Sequence, residues 1–167
     1  MQRHHFMAAV SRLLGESADY GESLKGVARL TVPAMADGCI IDLVEDDGTL
    51  LRVASEYAHP GAQVLCAAPL RRPRRRLLRR LGLRASIRAP LVVRGRSFGV
   101  ITLVVNEPRA FGPDDVAVAE DLGRRCAMVV ENARLHDQVG RALQSRDEMA
   151  ALVSYLSRLV SARQGAR

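Results

Sequence analysis

The sequence contains few aromatic residues, and its core must therefore be aliphatic. Among its 167 residues there is no tryptophan, and aromatic side chains make up only 4%. Hydrophobic residues nevertheless reach 48%, beside 26% charged residues. This balance is typical of a soluble globular domain whose core is built from Leu, Val, Ile and Ala.

The sequence also lacks long apolar runs and cysteine motifs. No run approaches the ~20 apolar residues that a transmembrane helix needs. The N-terminal residues lack the apolar stretch of a secretory signal, so we expect a cytoplasmic protein. Cys39, Cys66 and Cys126 form no C-x-x-C pair, which counts against a disulfide framework or a zinc ribbon. We expect all three to be reduced and at least two to be buried.

Motifs that carry catalysis or bind metals are missing as well. The four histidines, His4, His5, His59 and His136, do not combine metal-ligand spacing with a third ligand. The sequence shows no glycine-rich phosphate loop, paired-carboxylate motif or nucleophile elbow. We therefore predict no metal, no evident cofactor and no catalytic residue.

Basic charge is concentrated in one segment. The formal net charge is +7, yet residues 71–90 contain nine arginines and no acidic residue. The rest of the chain has 16 basic against 18 acidic residues. The segment Arg71–Arg88 could bind an anionic ligand through bidentate guanidinium groups, or form a solvated helix face. It contains no aromatic residue for base stacking, which counts against nucleic acid.

The first half of the chain predicts two helices followed by a hairpin. Residues 4–16 have apolar side chains at helical spacing, and Asp19 begins a second helix that Pro33 should bend or end. Residues 38–44 read as a strand, and 46–48 as a turn. On the following strand, strict alternation would place Leu51, Val53 and Tyr57 on one face and Arg52 and Glu56 on the other.

The second half predicts another hairpin. Residues 60–85 are the least regular and could hold a short edge strand over 64–69 and a helix over 74–83. Residues 87–93 alternate as a strand, and 94–96 form a tight turn. Residues 98–105 are apolar on both faces, which predicts a central strand.

The chain should end in one long helix. Gly112 can cap its start, with Pro113 at the first helical position, and the helix could continue to about residue 160. Its distal part repeats apolar residues in steps of four and three, with Arg146 as the one break. This heptad seam predicts a parallel homodimer. The alternative is a single helix that folds back onto its own domain, loosened by Gly140. The predicted dimerisation residues are Leu135, Val139, Ala142, Met149, Val153 and Leu156.

Three segments resemble the GAF family of sensory domains. Residues 81–103 look like the family's strand–hairpin–strand segment, and residues 111–116 followed by 127–135 are similar to its closing helix. The resemblance covers about residues 4–136, with a C-terminal signalling helix over 137–163. It implies an α/β (α+β) fold in which helices flank a mainly antiparallel sheet of five to six strands.

The distal helix is similar to the start of a histidine-kinase dimerisation helix. This likeness covers residues 142–154. Where that family carries a His followed by Asp or Glu, this chain has Tyr155 and Leu156, and we expect no ATP-binding domain. A neutral phenol is a poor nucleophile at pH 7. We therefore expect a kinase-related module that is not itself an enzyme.

The resemblance implies signal reception in a two-component or related bacterial system. An unidentified small molecule or a partner would bind near residues 57–88 and bias the long helix. The predicted ligand-binding residues are Tyr57, Cys66, Arg84, Ser86 and Arg88. Redox chemistry or bilin attachment at Cys66 are further readings, although the neighbouring histidine of phytochromes is absent. Two alternatives stay open: a ligand-free dimerisation module, and an arginine-rich regulator that binds nucleotide or nucleic acid.

Overall fold

The structure, a computed structural model, describes residues 3–16, 19–58, 83–106 and 110–164. Seven elements are present in this part of the chain. They are α1 (Arg3–Glu16), α2 (Tyr20–Ala34), β1 (Gly38–Val44), β2 (Leu50–Tyr57), β3 (Leu83–Val93), β4 (Arg96–Asn106) and α3 (Pro113–Gln164). The chain divides into two compact units, Met1–Glu131 and Asn132–Arg167.

The sheet has four antiparallel strands among the described residues, in the order β2-β1-β4-β3. The mixed α/β class and the central position of β4 confirm the predictions. The strand count is lower than the five to six predicted. The expected strand over 64–69 lies outside the described residues, as does most of the expected helix over 74–83, and Leu83 belongs to β3 instead.

The helix boundaries follow local sequence signals. Asp19 caps α2, because its Oδ1 accepts hydrogen bonds from the backbone N–H groups of Gly21 at 2.8 Å and Glu22 at 3.3 Å. The helix is kinked at Val32, immediately before Pro33, as the steric demands of proline require. At the start of α3, the backbone N–H of Gly112 donates to the Asp115 carboxylate at 2.8 Å. These contacts satisfy N–H groups that have no partner inside their helices.

One face of the sheet packs against the helices, and the hydrophobic core lies there. Alternate strand residues point to this face, including Ile41, Leu103 and Ala89, all buried. The helices supply a matching apolar stripe. Its members on α3 are Ala119, Leu122, Cys126, Ala127 and Val130, all fully buried. The core is aliphatic, as the composition predicts.

Close packing of backbones holds the centre of the sheet. An added Cβ at Gly99 of β4 would lie 2.1 Å from the carbonyl oxygen of Asp42 on β1. No side chain fits at that distance. Gly123 fills a similar role on α3, where an added Cβ would lie 2.8 Å from the carbonyl oxygen of Pro90. Glycine therefore permits the approach of strand to strand and of helix to sheet.

Candidate functional site

The face of the sheet opposite the core contains several of the predicted ligand residues, and we call it the outer face. Tyr57 pairs with Gly38, which pairs with Val104, which pairs with Ser86. Residues directly opposite one another in antiparallel strands point to the same side. Tyr57 and Ser86 therefore lie in one row that crosses all four strands.

A second row lies next to the first. It runs from Ser55 through Ile40 and Thr102 to Arg88. Ile40 and Thr102 are buried at its centre, whereas Arg88 is exposed at the β3 end. Three predicted ligand residues, Tyr57, Ser86 and Arg88, are thus brought to one face.

The position of Tyr57 corrects the predicted alternation along β2. The register against β1 shifts between Ile41, opposite Ala54, and Asp42, opposite Arg52. This irregularity turns Tyr57 to the same face as Arg52, not to the face of Leu51 as strict alternation predicts. The prediction was wrong because a two-residue period cannot reveal an extra residue in one strand.

Two other predicted ligand residues are placed less completely. Arg84 lies on β3 at a second register shift, between Leu83 and Ala85. Cys66 lies outside the described residues, as does most of Arg71–Arg88. The readings that depend on them stay predictions.

A cross-strand ion pair occupies the third row of the outer face. The Nε of Arg52 donates to Oδ1 of Asp42 at 2.8 Å, and Nη2 donates to Oδ2 at 3.3 Å. Asp42 is only 7% exposed. Two parallel hydrogen bonds fix both the distance and the plane of the guanidinium. Sequence reasoning missed this pair, although a single charged residue in the apolar stretch Gly38–Val44 was a signal.

The tyrosine ring lies close to the sheet. An added Cβ at Gly38 would lie 2.6 Å from two ring carbons of Tyr57 and 2.7 Å from a methyl carbon of Val104. Glycine at position 38 therefore creates the recess that the Tyr57 ring occupies. The outer face combines this partly exposed ring with the exposed polar groups of Ser86 and Arg88, beside the buried Ile40 and Val104, a mixture suited to an organic ligand with a polar end.

The two described cysteines lie in the core, not at the outer face. Cys39 and Cys126 are free and fully buried, which confirms the prediction that at least two cysteines are buried. Burial raises the pKa of the Cys126 thiol to about 12, and it raises the pKa of Cys39 as well. Both are therefore neutral thiols near pH 7, unlike the exposed thiolates of redox-active sites.

Within the described residues, no three His, Cys, Asp or Glu side chains come together as metal ligands would. Nor does any helix of this part combine the length and apolar content that a bilayer span requires.

The predicted heptad residues lie on α3 in the unit Asn132–Arg167. The predicted continuation of α3 to about residue 160 is confirmed, because the helix ends at Gln164. The large seam side chains are about half exposed: Val139 is 59%, Met149 61% and Val153 57% exposed. Leu135, Ala142 and Leu156 are exposed too.

Comparison with known proteins identifies the family. A family model described as the GAF domain matches residues 8–130, well over half of the chain. The chain therefore belongs to the GAF domain family. No curated protein matches it.

Solved structures of GAF domains share this fold. The GAF domain of a putative sensor histidine kinase from Pseudomonas syringae pv. tomato is 18% identical with a TM-score of 0.61, and the match covers 82% of this chain and 92% of that one. The GAF domain of a phosphoenolpyruvate-protein phosphotransferase from Coxiella burnetii is 16% identical with a TM-score of 0.61, and the match covers 83% of this chain and 98% of that one. A phycocyanobilin-bound GAF domain from a cyanobacterial phytochrome is 13% identical with a TM-score of 0.61, and the match covers 81% of this chain and 97% of that one.

Proposed function

We propose that this chain is a sensory module that binds a small organic ligand at the outer face and signals as a homodimer through α3. The observation that carries the proposal is the half-exposed heptad seam, which a second copy can cover. The likeness to the GAF domain of a putative sensor histidine kinase supports a sensory role. The proposed role involves no catalysis, and its partner is a second copy of this chain. A cytoplasmic location stays a prediction.

The residue types along the seam favour two parallel helices. In heptad notation, Val139 and Val153 occupy a positions, whereas Leu135, Met149 and Leu156 occupy d positions. β-branched residues at a and leucine at d favour two-stranded parallel coiled coils. Arg146, the one polar a position of the seam, favours in-register pairing at a cost in stability, because its guanidinium must stay near solvent.

Burial of the seam supplies a driving force of useful size. Complete burial of a Val, Leu or Met side chain contributes roughly 1.5–3 kcal/mol. About half of each large seam side chain is still exposed in the single chain, so each has roughly 1 kcal/mol left to gain. Leu143 and Leu152, both exposed, flank the seam at e and g positions and add apolar surface beside it.

A charge on the seam should separate the dimer. Val153→Asp places two carboxylates face to face at one buried a layer, and we expect the dimer to weaken on the order of 100-fold or more. Ser154→Asp is the matched control, because Ser154 is the next residue, is exposed and lies at a b position outside the seam. Sedimentation equilibrium should give a dimer for the parent chain and for Ser154→Asp, and a monomer for Val153→Asp. A monomeric parent chain, or equal masses for both variants, would contradict the seam.

The outer face sets the chemistry of the proposed ligand. The partly exposed Tyr57 ring, beside the buried Ile40 and Val104, favours a flat organic body, whereas the exposed Arg88 guanidinium favours an anionic or hydrogen-bond-accepting end. The phycocyanobilin-bound relative, which shares the fold, supports an organic ligand in a GAF domain.

Ligand binding is testable by thermal shift, since a compound that prefers the native state raises the melting temperature. The screen should include cyclic nucleotides, haem, bilins and small apolar compounds. Any anionic compound that binds should lose affinity in Arg88→Ala and in added salt. Arg29→Ala, an exposed arginine on the opposite, helical side, should bind as the parent chain does. If nothing shifts the melting temperature, the ligand-free dimerisation module is the better description.

A further inference from the structure

A cavity lies on the helical side of the sheet, away from the outer face. It encloses about 140 Å³ between the starts of α1 and α3, the end of α2 and the end of β4. An enclosed apolar cavity of about 150 Å³ holds one benzene molecule; this cavity has a similar volume but is partly open and has Arg3 and Asp115 in its lining. The volume therefore suits a single six-membered ring.

The wall of this cavity is aromatic in a chain that has little aromatic material. The sequence contains three phenylalanines, and two of them, Phe6 and Phe111, line this one cavity. Met35, Val105 and Val118 complete the apolar part of the wall. Phenyl rings favour the edge or the face of another ring, and a methionine thioether also favours an aromatic partner.

The rim contains an ion pair that supplies a hydrogen-bond donor. Nη1 of Arg3 donates to Asp114 at 2.7 Å, and Nη2 donates to Asp115 at 3.3 Å. Within the described residues these bonds use two of the five N–H groups of the Arg3 guanidinium. Arg3 and Asp115 both line the cavity. Because Arg3 is already paired with Asp114 and Asp115, of which Asp115 lines the cavity, an anion gains less here than at an unpaired guanidinium, whereas a neutral acceptor is accommodated.

We propose that this cavity is a binding site for a small neutral aromatic molecule with one hydrogen-bond acceptor, such as a phenol. The ring lies against Phe6 and Phe111, and the oxygen accepts from Arg3. Because the walls come from α1, α2, β4 and α3, an occupant joins the first turns of α1 and α3. The site is independent of the outer face and of the heptad seam.

The experiment uses phenol as the probe and the whole chain as the protein, with binding followed by the chemical shifts of backbone amides. Phenol is expected to saturate the parent chain in the millimolar range or below, with the largest shifts at Phe111 and Val118. Benzoate, an anion with the same ring, is expected to bind at least tenfold more weakly. Absence of saturable phenol binding, or benzoate binding as tight as phenol, would overturn the proposal.

Two filling variants locate the site. Ala34→Leu and Ala110→Leu each add a side chain at a residue that lines the cavity and is exposed to solvent, so both should fold. Each should lower phenol affinity at least tenfold. Ala117→Leu is the same change at an exposed position of α3 outside the lining, and it should bind as the parent does. Phenol binding that survives both filling variants would place the probe elsewhere and refute the site.

Discussion

At the scale of single residues, burial determines which polar groups can react. Cys39 and Cys126 carry the nucleophilic atoms of the described core, yet both are enclosed by aliphatic side chains. Transfer of a thiolate into such surroundings is costly, so the neutral form persists. The exposed polar residues of the outer face, Ser86 and Arg88, suit recognition better than covalent chemistry.

The cysteine pKa values predict a dependence of stability on alkaline pH. Burial raises the pKa of Cys126 from its ordinary value of 9.0 to about 12. The unfolded thiol releases its proton above pH 9, whereas the folded thiol keeps it. The contribution of Cys126 is therefore complete below pH 9 and declines as pH rises toward 12, by about 1.4 kcal/mol per pH unit.

Cys126→Ala tests this dependence. The variant should be less stable than the parent near neutral pH because of the smaller side chain. Its unfolding free energy from urea titrations should fall less steeply between pH 8.5 and 10.5 than that of the parent chain. Parallel pH profiles would show that the folded thiol ionises as readily as the unfolded one.

At the scale of elements, tight strand packing makes a sharp prediction at Gly99. Gly99→Ala forces a methyl group into the backbone of β1, and we expect a loss of roughly 3 kcal/mol or more in unfolding free energy. Gly15→Ala is the matched control, since an added Cβ there meets nothing within 4 Å. That helical change should stabilise the protein by about 0.5–1 kcal/mol. Equal effects of the two changes in chemical denaturation would contradict this account of the sheet.

The same scale shows what local sequence patterns can and cannot predict. The bounds of β1, the cap at Asp19 and the start of α3 at Pro113 follow from neighbouring residues, so the sequence reveals them. The Asp42–Arg52 pair and the position of Tyr57 depend on the register between two strands, and one extra residue in β2 reverses the face. The cavity beside Arg3 depends on residues more than 100 positions apart, which no local pattern connects.

At the scale of the whole molecule, signalling requires coupling between an occupied site and α3. Coupling is a difference in ligand affinity between two states of the molecule. The helix α3 is the element that contributes both to the buried core of Met1–Glu131, through Leu122 and Val130, and to the exposed seam of Asn132–Arg167. A change in how its first part packs is therefore a candidate for the transmitted change.

The central claim is that two copies join in parallel along the seam, and disulfide trapping tests it most directly. A parallel, in-register dimer places the two copies of residue 142 opposite each other in one d layer. The distance between their Cα atoms is then close to the range of about 4.4–6.8 Å that a disulfide spans. In a Cys66→Ser background, Ala142→Cys should form a linked dimer under mild oxidation. Ala151→Cys, the same exchange at an exposed f position, should stay monomeric on a non-reducing gel. An unlinked Ala142→Cys, or equal linkage of both variants, would contradict the account.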